Sequence, residues 1–311
     1  MPHQISNPKG WKVVTNCSSI KRRRGEPITP ALGFKSLEDL CSSWVKKVQK
    51  ATDLETVRDT YGGRTFTESL SASDRLNADL YVISAGLGLV HIEDAIPNYN
   101  LTVSQGSGSI ADWLTERNKT PSEWWSLLNH KLTKPNPICR LATQSEGLLL
   151  ALPSTYVELI SEELLMLSHG DLEKVYIITS HAGQQKLDQR LKNRCLPYDE
   201  RLDGSKDYQG TRNDFPQRAL SHFVNEIDFR NKSIKTVQRK VLEFLDQHAK
   251  PVLPPRIKLD DHEIRKLIRK NWVKYEGKSN SLHRYLRDVA HVACEQKRFR
   301  NLWNEVKLGI Y

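Results

Sequence analysis

Three short segments of this chain put nucleophilic, hydroxyl or turn-permitting residues directly after apolar runs: Asn16-Cys-Ser-Ser19, Ser84-Ala-Gly-Leu-Gly88 and Thr179-Ser-His-Ala-Gly183. Cys17 is the strongest nucleophile among them. A thiol in a loop after a strand, near backbone amides and the cations Lys21-Arg-Arg-Arg24, is expected to exist partly as thiolate. The competing role is that of an ordinary packed cysteine. Ser18, Ser19 and Lys21 would bind substrate beside a reactive thiol. In the second segment Ser84, Gly86 and Gly88 would let the backbone approach a flat ring or a phosphate, unless they only turn the chain. His91, Glu93 and Asp94 follow at once and offer acid–base groups, with Asp94 favoured. His181 is a second candidate base. Tyr99, in Pro97-Asn-Tyr-Asn-Leu-Thr102, completes this substrate-binding set.

Farther along, Arg201, Asp203, Arg212, Asp214 and Arg218 crowd one loop-rich region. Two roles fit. They form a salt-bridge network, or Arg201, Arg212 and Asp214 bind substrate by clamping phosphate and reading a base edge.

The elements that must position these residues are readable from apolar patterning. Trp11-Lys-Val-Val-Thr15, Asp79–Ser84, Leu148–Leu152 and Lys174–Thr179 read as strands, the later ones apolar on consecutive positions as in strands buried on both faces. Ser36 caps an amphipathic helix carrying Leu37, Leu40, Cys41, Trp44, Val45 and Val48 at helical spacing. Thr120-Pro-Ser-Glu123 is a capping box with proline at the first helical position. A further helix spans Pro153–Leu167. Strands alternating with helices predict an α/β fold with a mainly parallel sheet and helices on both faces. In such sheets ligands bind beyond the carboxyl ends of the strands, where all three segments fall. A helix is expected over Ser233–His248, then a stiff Lys250-Pro-Val-Leu-Pro-Pro-Arg256 linker. Three short helices near 260–270, 281–289 and 293–306 complete the chain in a helix-turn-helix-like arrangement. The last would expose Lys297, Arg298 and Arg300 as DNA-binding groups and turn Phe299, Leu302 and Val306 inward. The expected domains are therefore an α/β catalytic domain (1–230), a helix with proline-rich linker (231–258) and a basic helical nucleic-acid-binding module (259–311).

Charge supports that division. The net charge is +10, and residues 231–311 hold 19 Lys and Arg against 9 Asp and Glu, so the rest of the chain is neutral. A localised basic module on a neutral body points to an acidic polymer, DNA or RNA, although a solvated basic face has the same composition. The five cysteines are widely spaced with no Cys-x-x-Cys pair, which argues against a disulfide framework or a structural zinc. No apolar run is long enough to cross a bilayer, and Met-Pro-His-Gln lacks the pattern of a secretory signal, so no membrane partner and a cytoplasmic location are expected.

Cys17-Ser-Ser-x-Lys21, Ile83-Ser-Ala-Gly-Leu-Gly-Leu-Val90 and Ile96-Pro-x-Tyr-Asn-Leu-Thr102 together resemble a bacterial family related to the peroxide-stress protein YaaA. That family in turn resembles the uracil-DNA-glycosylase-like domain of archaeosine synthase. The likeness covers roughly the first third of the chain. It implies an α/β fold concerned with nucleic acid or modified bases. Relatives often carry an acidic residue where this chain has Asn100. Chain size, Gly210-Thr-Arg-x-Asp-Phe-Pro and the basic tail also resemble the DpdC family of bacterial 7-deazaguanine DNA-modification systems. That resemblance implies hydration of the nitrile of 7-cyano-7-deazaguanine in DNA to the 7-amido base, with other proteins of such a system as partners. Cys17 would attack the nitrile carbon, Lys21 and loop amides would stabilise the nitrogen, and Asp94 or His181 would activate water, with no cofactor or metal. The alternatives are a modified-DNA reader without catalysis, an N-glycosylase or base-exchange enzyme using Asp94, and a sequence-reading regulator.

Overall fold

A computed structural model describes residues 9–18, 20–23, 25–252 and 255–309; Ser19 and Arg24 lie outside them. The chain divides into two compact units, Met1–Pro251 and Val252–Tyr311. The first is mixed α/β. Its strands are β1 (Trp11–Asn16), β2 (Leu54–Thr56), β3 (Asp79–Ser84), β4 (Gly88–His91), β5 (Ala95–Pro97), β6 (Gly147–Ala151) and β7 (Val175–Ile178). Five of them form one sheet in the order β4-β3-β1-β6-β7, while β2 and β5 pair separately. β1 runs parallel to both β3 and β6, and β6 parallel to β7. Only β4 is antiparallel, returning along β3 with Ser84 opposite Gly88 and Tyr81 opposite His91.

Every residue of β6 and β7 is buried. Successive side chains of a strand point to opposite faces, so both faces are covered. Ser36 caps the helix Leu37–Lys50 by accepting from Asp39 N, and Leu40, Cys41, Trp44 and Val45 are its buried stripe. The Thr120 capping box opens the helix Pro121–Lys131. The helix Arg64–Leu76, absent from the sequence reading, buries Phe66, Ser69, Ala72, Ser73 and Leu76.

Strand order creates a switch point. From β1 the chain passes to β3 on one side, and later enters β6 on the other. The connections leaving β1 and β6 therefore diverge, opening a crevice beyond their carboxyl ends, the usual ligand position in open α/β sheets.

The helix Ile234–Leu245, assigned to the linker by sequence, belongs to this unit. Val237, Val241 and Leu245 are fully buried in its core. The second unit contains the helices Asp261–Asn271, Ser279–Asp288 and Gln296–Leu308 around a separate core of Ile264, Ile268, Leu282, Leu286, Val292, Phe299 and Leu302. Among the described residues no helix is long and apolar enough to cross a membrane.

Candidate functional site

Cys17 leaves the sheet at the switch point. Its N–H donates to Ile83 O at 2.9 Å, extending the β1–β3 ladder by one residue and holding the loop at the sheet's edge. Its half-buried Sγ lies 3.0 Å from the hydroxyl of Tyr156, on the first turn of the helix Ser154–Leu165 that follows β6. Thiol and phenol thus face each other across the crevice between the two strand ends. Burial pushes the Tyr156 pKa well above the usual phenol value, and the nearby Cys17 thiolate adds to this. Phenol and thiol share this hydrogen bond, and either can be its donor.

Lys21 reaches the same place from the loop. Its half-buried Nζ donates to Tyr99 O and lies 3.9 Å from the centroid of the Tyr99 ring. Burial lowers the Lys21 pKa, and the neighbouring Cys17 thiolate works against that shift. Beneath Lys21 is a buried hydroxyl cluster. The Tyr99 hydroxyl bonds to that of Tyr61 and, at 2.6 Å, to Ser84 Oγ. Ser84 Oγ also accepts from Gly86 N and Leu87 N, both at 3.1 Å. Ser84, Tyr61 and Tyr99 are fully or almost fully buried, so they shape the site from below.

The two glycines, expected to let the backbone approach a ligand, stand where the fold leaves no room for a side chain. A Cβ on Gly86 would stand 3.0 Å from the rings of both Trp44 and Tyr99, and Gly86 O accepts from Trp44 Nε1 at 2.6 Å. Gly88 adopts φ +72°, and a Cβ there would meet Asn129 Oδ1 at 2.5 Å. Ser18 is buried, and its Oγ accepts from Ile20 N.

The acid–base residues expected from sequence do not join Cys17. β4 carries His91 back to the level of Tyr81, and Asp94 Oδ2 caps the turn there by accepting from His91 N at 2.8 Å. Asp94 lines a groove of about 880 Å³ with Arg58, Asp79, Tyr81, His91 and Glu93, toward the amino end of β3. The antiparallel return of β4 is the physical reason. His181 is exposed at the start of the short helix His181–Gln185 after β7, and its Nε2 lies 3.3 Å from Gln185 Nε2.

Of the arginine-rich region, most is a fastening. The Arg218 guanidinium is 1% exposed and reaches Asp214 and Asp203 at 2.7 Å each, Thr211 O at 2.8 Å, and Tyr208 O. Arg201 pairs with Asp199 and Asp246. Asp214 is buried in this network, and Arg212 of the expected clamp is exposed. One residue before Arg218, Gln217 bridges the strand ends: its Nε2 donates to Thr15 Oγ1 (3.1 Å), Asn16 Oδ1 (2.9 Å) and Ala151 O (3.0 Å). Gln217 Oε1 is buried without a hydrogen-bond partner in the structure.

In the second unit Lys297 and Arg300 are exposed on the last helix. Arg298 is engaged, donating to Asp261 Oδ1 at 2.8 Å and to Leu259 O at 2.9 Å.

Tyr156 and Gln217 are the residues that sequence reading missed. Tyr156 had a signal, since it lies four residues beyond Leu152, past a strand end of the same kind that singled out Cys17. Gln217 had none; it reaches the crevice only because the helix Phe215–Glu226 packs on the sheet. Among the described residues no cluster of three or more His, Cys, Asp or Glu is arranged to hold a metal ion. No protein-family model, curated protein or solved structure matches the chain.

Proposed function

We propose that the protein is a cysteine-dependent enzyme that modifies a base in DNA, hydrating the nitrile of 7-cyano-7-deazaguanine to the carboxamide. The observation that carries this reading is the Cys17 Sγ–Tyr156 hydroxyl pair, 3.0 Å apart across the switch-point crevice. A phenol in hydrogen-bond contact with sulfur and an ammonium within electrostatic reach are the neighbours a cysteine nucleophile uses. The DpdC-like features of the sequence supply the choice of substrate.

The chemistry balances without an outside reagent. The thiol adds across the nitrile: sulfur bonds to carbon and the proton goes to nitrogen, giving a thioimidate. Water then adds to that carbon, its oxygen forming the new C–O bond and a proton moving to nitrogen. The tetrahedral species expels Cys17 as the C–S bond breaks, the hydroxyl proton returns to the thiol side, and the amide is released. Lys21 as an ammonium is the donor nearest the developing nitrogen charge, and its amine form takes up the last proton. Asp94, at the other end of β3, has no part in these steps.

A base held in DNA must be unstacked to reach the crevice, at a cost of about a few kcal/mol. The second unit, with 14 Lys and Arg against 7 Asp and Glu over residues 252–311, would offset that cost by binding phosphate, acting as a cytoplasmic nucleic-acid-binding module. An N-glycosylase mechanism is less well supported, because no Asp or Glu among the described residues hydrogen-bonds to Cys17, Lys21, Tyr99 or Tyr156.

The test is incubation with DNA carrying 7-cyano-7-deazaguanine, digestion to nucleosides and mass spectrometry. A gain of one water is expected, abolished in Cys17→Ala and slowed roughly 100–10,000-fold in Tyr156→Phe, the range for loss of one acid–base group. An unchanged nitrile with DNA binding intact would replace the enzyme by a non-catalytic reader.

A further inference from the structure

The second unit carries an arrangement that the basic-helix reading does not use. Among its described residues, the four large aromatic side chains other than the core phenylalanine are half-buried: Trp272, Tyr275, Tyr285 and Trp303. They gather around the turn that follows the helix Asp261–Asn271. Trp272 and Trp303 stack with centroids 5.9 Å apart at 24°, and Tyr275 lies 5.3 Å from Tyr285. The turn is drawn tight by two left-handed residues, Glu276 (φ 52°) and Gly277 (φ 63°). Gly277 O accepts from Trp303 Nε1 at 3.0 Å, and a Cβ on Gly277 would strike the Trp272 ring at 2.8 Å.

Cations are interleaved with these rings. Lys307 Nζ lies 5.2 Å from the Trp303 ring and Lys274 Nζ 5.5 Å from that of Tyr275. Both lysines are exposed, as is Lys270, and Val273 between the aromatics is 88% exposed. Meanwhile Arg298, one of the three cations expected to read a duplex, is held by Asp261 and Leu259 O.

We infer that this aromatic and basic face, centred on Trp272, Trp303, Lys274 and Lys307, binds single-stranded nucleic acid. Ring faces and lysines serve an unpaired strand directly. Bases there expose π-faces that stack on aromatic side chains, while phosphates meet the ammonium groups, without dependence on sequence. A duplex hides those π-faces and presents only its edges and backbone. The inference rests on the nucleic-acid partner proposed above and deepens it: a unit that prefers unpaired strand stabilises the opened state from which a base enters a catalytic crevice.

The experiment uses the full chain, with fluorescence anisotropy of a labelled 15-nucleotide DNA, single-stranded and as the matching duplex, at one fixed salt concentration. Single strand is expected to bind at least tenfold tighter than duplex and to quench tryptophan emission. Lys274→Glu/Lys307→Glu, at exposed positions that leave the core untouched, should weaken it at least tenfold. Trp303→Leu should weaken single strand more than duplex, with circular dichroism confirming that the helices remain. Duplex binding as tight as single strand, binding unaffected by the double charge reversal, or no binding of either DNA would overturn the inference. Binding with a single-strand preference but no nitrile hydration would remove the enzyme reading and leave this one standing.

Discussion

A thiol is a nucleophile to the extent that its surroundings accept negative charge, and Cys17 has two such neighbours. Tyr156 shares a hydrogen bond with sulfur across the crevice, and Lys21 stands by as a cation whose other contacts are a backbone carbonyl and the face of Tyr99. Because burial lowers the Lys21 pKa, its proton is lost at a lower pH than the ordinary lysine value of 10.5. If the ammonium protonates the substrate nitrogen, activity is lost as pH rises through that lowered value. The alkaline limb of the kcat profile should therefore lie below pH 10.5, and Lys21→Arg, which stays charged, should shift it upward. A limb that does not move would assign the proton to another group.

At the scale of elements, two devices hold the site. One is the hydroxyl cluster of Tyr61, Tyr99 and Ser84, which ties the segment after β3 to the loop that carries Lys21. The other is the helix Phe215–Glu226, which offers Gln217 to the ends of β1 and β6 and anchors its own approach loop through Arg218. Removing a buried charge that has several partners leaves those partners unpaired, at a cost of about 3–5 kcal/mol. Arg218→Met should lower unfolding free energy by about that amount in urea denaturation. A loss under about 1 kcal/mol would mean that Asp203, Asp214 and the two carbonyls find water readily.

For the whole molecule, two separate apolar cores predict where the chain can be cut. Residues 1–251 should unfold cooperatively when expressed alone, because the first core is complete within them. Ending at residue 230 removes Val237, Val241 and Leu245, each fully buried, at about 1.5–3 kcal/mol apiece. That shorter chain should melt at a much lower temperature or lack a cooperative transition, as read by circular dichroism. Equal melting of the two would place the Ile234–Leu245 helix outside the folding unit.

By itself the sequence determined the strands whose apolar residues run consecutively, the capped helices and the location of the excess charge, because each is written within a few neighbouring residues. It also marked Cys17, through its place at a strand end. It did not disclose the helix Arg64–Leu76, whose buried stripe includes Ser69 and Ser73 and so lacks an apolar period. Nor did it disclose β4, four residues whose antiparallel return sends Asp94 away from the thiol it was expected to serve. Tertiary structure alone decided which groups meet. Strand order put Tyr156 opposite Cys17, close packing set Gly86 and Gly88 against Trp44, Tyr99 and Asn129, and the demand that buried charge be paired drew Arg218 and Asp214 into the scaffold. Local pattern specifies elements; which side chains face one another follows from how those elements pack, which no short stretch of sequence contains.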